Sequence, residues 1–319
     1  MKFAVAGAGA IGAYVGARMA RAGIDVTLFA RGPHCRAMQQ RGVRVVSAGE
    51  EFEARPRVVD SLDAVGPVDV VFLAVKSHSL PQLAPQLRVL FTPDTTVVSM
   101  QNGIPWWYFE GGERLEKVDP GGVVAAAIEP RRVVGSIVYL STEITAPGVV
   151  RHIESNRITI GEPDGAKSDR CRAISEALIA AGLRAPITTH LRQEIWVKLM
   201  GNIAFNPISA LTGATLVAMA RDPEVSRLVR AIMAETECVA HRIGIEMPIT
   251  IDQRIAGAEK VGEHKTSMLQ DLESGRPLEL DAVVGAVLEL AERLNIPTPH
   301  TRAVYACAKL LEKRRRGAP

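Results

Sequence analysis

The chain has 319 residues, 47% of them hydrophobic and 23% charged, with a formal net charge of +3. This is a globular composition, neither disordered nor membrane-embedded, and roughly three quarters of such a chain's surface can be buried in one large domain or two ordinary ones. Part of the positive charge comes from Lys313-Arg314-Arg315-Arg316, in a terminus that reads as frayed and solvated. No nucleic acid partner is expected, because that footprint needs basic residues along a face of the fold.

No stretch reaches the roughly 20 apolar residues of a membrane span. The start, Met1 to Gly7, has too short an apolar run for a signal peptide. Cys35, Cys171, Cys238 and Cys307 are scattered singly, without a C-x-x-C or a His at metal spacing. Free thiols in a reducing cytoplasm and no metal site are the expectation.

In chain order, residues 3–6, 26–30, 68–75 and 96–99 are continuous apolar or β-branched runs, as in strands buried on both faces of a parallel sheet. Residues 11–21, 33–41 and 80–90 between them carry helical spacing, and a βαβ succession implies a parallel sheet with right-handed crossovers. Residues 137–140, 149–152 and 157–160 read as strands joined by short turns, an antiparallel extension of the sheet. Beyond Pro186 the texture turns helical: 190–216, 225–243, 251–272, 278–294 and 301–313. The expected fold is α/β, a Rossmann-type doubly wound, mostly parallel sheet in residues 1–187, followed by an all-α domain in 188–319.

Gly7-Ala8-Gly9-Ala10-Ile11-Gly12 is a G-x-G-x-x-G that follows a strand and opens a helix, the context in which it binds a dinucleotide. Gly7 permits the tight turn, Gly9 lets the backbone approach a pyrophosphate, and Gly12 lets helix and strand pack closely. The second strand ends Leu28-Phe29-Ala30-Arg31, without the acid that takes a ribose 2′-hydroxyl in NAD-binding folds. Arg31 can pair with a 2′-phosphate instead, so NADP(H) is the expected cofactor. Lys76 ends the strand that begins at 68, where open α/β sheets bind ligands. In Gln101-Asn102-Gly103, Asn102 is either a plain turn residue or a contact for nicotinamide or substrate.

Lys198, Asn202 and Asn206 are spaced i, i+4, i+8 among Ile195, Leu199, Ile203 and Phe205. Each step drifts only about 40° around a helix, so the three share one face. They form either the outer side of an amphipathic helix or a polar stripe in a ligand-binding cleft. Glu279, expected in the first turn of a helix after Gly275 and Pro277, either complements the helix dipole or serves a site.

Together these residues resemble ketopantoate reductase (2-dehydropantoate 2-reductase), within the 6-phosphogluconate-dehydrogenase-like superfamily. The resemblance runs from Gly7 to about Leu311. Its more specific motifs are Gln101-Asn102-Gly103, Asn206-Pro207, Ser267-Met268-Leu269-Gln270-Asp271, and Glu279 twelve positions after Ser267. It implies NADPH-dependent reduction of a small 2-keto acid, ketopantoate to pantoate, in pantothenate biosynthesis. Lys198 would be the general acid, with Glu279 holding the substrate's hydroxyl or the lysine. Asn102, Asn202, Asn206 and Ser267 would bind substrate, while Arg31, Lys76 and Asn102 contact the cofactor.

The segment Ile104 to Gly112, with Trp106, Trp107 and Tyr108, departs from the leaner family pattern. It either packs internally or faces the site, and in the second case the substrate differs. Another hydroxyacid-type dehydrogenase would share Lys198 and Asn202 but leave Asn206, Ser267 and Glu279 unexplained. A non-catalytic NADPH sensor would give no reason for a buried Lys198. The apolar helices of the second domain could pack internally or against a twin in a homodimer.

Overall fold

The opening apolar run forms β1 (Phe3–Ala6), buried at every residue. After the glycine turn comes α1 (Ala10–Arg21), whose residues Gly12 to Ala17 are all buried. A helix covered on nearly all sides is apolar all round rather than striped, as this one is. In this computed structural model residues 1–109 and 113–315 are described. Glu110, Gly111 and Gly112 of the aromatic segment, and Arg316 to Pro319 of the basic tail, lie outside the described residues.

The chain continues through β2 (Val26–Phe29), α2 (Gly32–Arg41), β3 (Val43–Val46), β4 (Glu51–Ala54) and β5 (Arg57–Val59). Next come β6 (Val68–Leu73), α3 (Leu80–Leu83) and β7 (Phe91–Ser99). The helix expected over 80–90 is only one α-turn, then a 3₁₀ stretch, Ala84–Leu90. Pro85 has no N–H for the Pro81 carbonyl, so the α-ladder cannot continue. Then α4 (Val123–Ala127), β8 (Val133–Val138), β9 (Ser141–Ala146), β10 (Val149–Glu154), β11 (Ile158–Gly161) and α5 (Asp169–Ala180) follow.

Seven strands form one sheet in the order β11-β8-β7-β6-β1-β2-β5. All neighbours are parallel except β11, which runs antiparallel to β8. From β5 to β8 this is the doubly wound order, reversing direction between β1 and β6. The antiparallel extension is therefore one strand, not three. β9 and β10 pair instead with β3 and β4 in a separate four-stranded sheet, β4-β3-β10-β9. That sheet was not legible because β3 and β4 are four residues each and half exposed. It packs on α1, where the Tyr14 ring stacks on His152 at 4.7 Å. Tyr14, Val15 and Met19 share one apolar core with Val45 and Val150.

By packing, the chain forms two compact units. The first is Met1–Gln101 with Gly122–Leu191; the second is Asn102–Gly121 with Arg192–Pro319. The sequence reading drew a single division after residue 187 and left 102–121 with the sheet. No helix among the described residues is long and apolar enough to cross a membrane.

The second unit holds α6 (Leu191–Thr212) from Arg192 onward, α7 (Leu216–Arg221), α8 (Pro223–Arg242), α9 (Ile251–Val261) and α10 (Ser267–Glu273). It ends with α11 (Ala286–Arg293) and α12 (Pro299–Arg315). Two expected helices are divided. The reading of 190–216 stops at Thr212, before Gly213 with φ of +74°. That of 251–272 breaks at Gly262, φ +81°, and restarts where the Thr266 hydroxyl accepts from the Leu269 N–H. The break is useful: the carbonyls of Gly262 and His264 accept the first N–H groups of α7. Lys313, Arg314 and Arg315, read as a frayed tail, form the last turn of α12, where cations complement the helix dipole.

Trp106, Trp107 and Tyr108 are buried in this unit, each under 7% exposed. The fully buried Trp196 of α6 donates Nε1–H to the Tyr108 hydroxyl at 2.8 Å. Burial pushes the Tyr108 hydroxyl's pKa well up, so it stays neutral and can accept. Tyr108→Phe should leave the indole N–H buried without an acceptor and cost about 1–3 kcal/mol. Urea unfolding measures this, and an unchanged midpoint would mean that the bond carries no stability.

Candidate active site

The glycine turn sits at the carboxyl end of β1. Gly7 has φ of +103°, and a Cβ there would collide with Val75 at the end of β6. One at Gly12 would strike the Gly7 carbonyl, so only glycine lets α1 start this close to the strands. Gly9 precedes Ala10, Ile11 and Gly12 and gives α1 no side-chain cap. The helix's first donors thus lack partners within the helix and carry its positive dipole end. A Cβ at Gly9 would meet no protein atom within 4 Å. Backbone donors without a competing cap, behind an open approach, fit a pyrophosphate.

The N–H groups of Gly7 and Ala8 donate to the Phe29 carbonyl at 3.1 and 2.8 Å, tying the turn to the end of β2. Arg31 follows there, its guanidinium over the Phe29 ring at 5.4 Å. Phe29 and Arg31 line a cavity of about 290 Å³ with Asp60, Ser61, Asp63 and Gln86. The acids were missed because they follow β5, which three half-exposed residues do not announce. Lys76, half-buried, lies past the end of β6. Gln101 closes β7: its Nε2 donates to the carbonyls of Leu73 and Val75 at 2.6 and 3.1 Å.

In the second unit, three chain segments meet. Lys198, on α6, donates from Nζ to Asn102 Oδ1 at 2.7 Å. Asn102 Nδ2 donates to Glu279 Oε2 at 3.3 Å. Chemistry fixes the amide's orientation, since an ammonium only donates and a carboxylate only accepts. Glu279 is 7% exposed, while Lys198 and Asn102 are half-buried. Asn202 and Asn206 follow one and two turns along α6, the first half-buried and the second buried. This face of α6 is therefore not a solvated outer side. Ser267, the first residue of α10, is exposed.

Glu279 is not within the first turn of a helix but just precedes one, and the ladder there is a π-turn, Asp281–Gly285. A π-turn widens the ladder and is often found at functional sites. Here the Ala282 carbonyl accepts the Ile104 N–H at 3.3 Å. Gly103, φ +86°, lies so close that a Cβ would overlap that same carbonyl. Asp281 anchors the π-turn from its other side, accepting from Tyr305 Oη at 2.5 Å and Lys309 Nζ at 2.9 Å. Burial opposes its ionisation, but Tyr305 and Lys309 outweigh that and hold its carboxyl below the ordinary range. A further residue, Arg254 of α9, lays its guanidinium against α6 where Gly201 leaves room for it. Glycine in mid-helix costs about 1 kcal/mol against alanine and was the available signal.

A family model described as Ketopantoate reductase PanE/ApbA matches residues 3–165, and its C-terminal counterpart matches residues 190–312. A 2-dehydropantoate 2-reductase from Mesorhizobium japonicum is 48% identical over 318 residues, covering 98% of each chain. The crystal structure of a Ralstonia solanacearum chain assigned to ketopantoate reductase has a TM-score of 0.93 at 37% identity, covering 100% of this chain and 99% of that one. A D-mandelate dehydrogenase solved with NADH and anilino(oxo)acetate has a TM-score of 0.87 at 22% identity, covering 99% of this chain and 100% of that one, a likeness of fold alone.

Gly103→Ala should destabilise the second unit by about 2–4 kcal/mol, from left-handed backbone strain and overlap with a carbonyl that cannot swing away. Gly49→Ala, where a Cβ meets nothing within 4 Å, is the control and should stay within about 0.5 kcal/mol. Equal urea midpoints for the two variants would refute the close approach.

Proposed function

Since the chain belongs to the ketopantoate reductase family, we propose that it reduces 2-dehydropantoate (ketopantoate) to pantoate with NADPH, Lys198 acting as general acid. The observation that carries this reading is the hydrogen-bonded series Lys198–Asn102–Glu279. An ammonium carries three donors, and the bond to Asn102 uses one of them. That bond aims Nζ, and the Asn102 amide passes the pull of the Glu279 carboxylate to it.

Bound at the glycine turn, the reduced nicotinamide would supply a hydride to the keto carbon. Negative charge then develops on the carbonyl oxygen, and Lys198 meets it first as a positive charge and then as the proton donor. Acid catalysis of this kind is worth about 10²–10⁴-fold. Asn202 and Asn206, on the same helix face, would bind the substrate's polar groups, and Glu279 its hydroxyl. Ser267 would reach the substrate carboxylate. Burial of Trp106 and Trp107 favours the packing role for that segment and so the family's own substrate over a differently shaped one.

The first experiment is NADPH oxidation against a panel of 2-keto acids that includes ketopantoate, which should be turned over with the highest kcat/KM. A better bulky or aromatic 2-keto acid would replace the substrate named here. Lys198→Ala should lose at least about 10²-fold in kcat while NADPH still binds, and near-normal turnover would eliminate the lysine as the acid. Arg31→Ala should weaken NADPH by about tenfold to a hundredfold and NADH far less. Equal losses would deny it the 2′-phosphate.

A further inference from the structure

The strand beside β2 is followed directly by a carboxylate, one residue short of the level of Arg31. β2 and β5 pair in parallel with Thr27 opposite Arg57, Leu28 opposite Val58 and Phe29 opposite Val59. The Ala30 N–H extends this ladder by donating to the Val59 carbonyl at 3.1 Å. The next residue along β5 is Asp60, level with Ala30 and one residue short of Arg31. Neighbouring strands lie about 4.8 Å apart. Asp60 thus occupies, one strand over, the height at which NAD-binding folds carry an acid at the end of β2. It lines the same cavity as Arg31. Burial, and after it the charge of Asp60, push the Cys35 thiol's pKa up. Cys35 lies in the first turn of α2, the helix that Arg31 caps.

We propose that Asp60 is a cofactor-specificity residue that works against Arg31, accepting a ribose hydroxyl of NADH and repelling the 2′-phosphate of NADPH. This rests on the reading that a nicotinamide dinucleotide binds at the glycine turn with its adenosine half over β2. The chemistry of the two partners is opposite. A carboxylate is an acceptor only and suits a hydroxyl donor, whereas a phosphate brings nothing but acceptors and like charge. Arg31, stacked on Phe29, presents a donor edge that suits the phosphate and gains little from a hydroxyl. A site with both tolerates both nucleotides, and its preference for NADPH is smaller than Arg31 alone would set.

The test is a titration of the full chain with NADPH and with NADH, reading dissociation constants for wild type, Asp60→Asn, Asp63→Asn and Arg31→Ala. Asp60→Asn should tighten NADPH by about threefold to tenfold and weaken NADH by about tenfold, a change of opposite sign that loss of structure cannot produce. Asp63→Asn, which removes the same charge from the same cavity, should move either constant less than threefold. Parallel shifts for the two nucleotides in Asp60→Asn, or equal effects of Asp60→Asn and Asp63→Asn, would overturn the assignment while leaving the dinucleotide reading intact. A wild-type chain that binds neither nucleotide would sink both.

Discussion

The second unit is organised around one close approach, the turn at Gly103 pressed against the carbonyl of Ala282. No side chain fits between them, so Asn102 is held where it accepts from Lys198 and donates to Glu279. The π-turn at Asp281–Gly285 meets that turn with a carbonyl that accepts the Ile104 N–H. Asp281, gripped by Tyr305 and Lys309, keeps the π-turn from relaxing. A distortion of this sort persists only when its surroundings over-determine it, and it tends to sit where positioning matters.

That arrangement also answers an energetic problem. A half-buried ammonium and a buried carboxylate are each costly unless their donors and acceptors are matched. A single asparagine serves both, offering its oxygen to one and its nitrogen to the other. No other common side chain of that length does this without a charge of its own. Aspartate in its place would repel Glu279. The amide therefore fixes the two charges by chemistry as well as by packing.

Much of this was readable in the sequence. The glycine motif, the apolar runs of β1, β2, β6 and β7, and the i, i+4, i+8 stripe of α6 each carry a period or spacing that survives without coordinates. Other features have no such period. β3, β4 and β5 are three or four residues long and partly exposed, so no alternation has room to develop. The π-turn after Glu279 is a departure from helical ladder that side-chain spacing does not register. The assignment of Asn102–Gly121 to the helical unit is a matter of long-range packing, and the aromatic residues Trp106, Trp107 and Tyr108 left open whether that segment packs internally or faces the site.

The hidden strand matters most for the cofactor. Reading nucleotide preference from the end of β2 assumes that the sugar meets only that strand. A ribose with its phosphate spans more than the roughly 4.8 Å between neighbouring strands, so a nucleotide held at the end of β2 would also meet the residues after β5. Absence of an acid from Leu28-Phe29-Ala30-Arg31 therefore does not make the pocket acid-free, because Asp60 enters from the side. Preference in such a pocket would be the difference between two opposed electrostatic contributions, and so smaller than the larger of them. Either group, read alone, gives the wrong size for it.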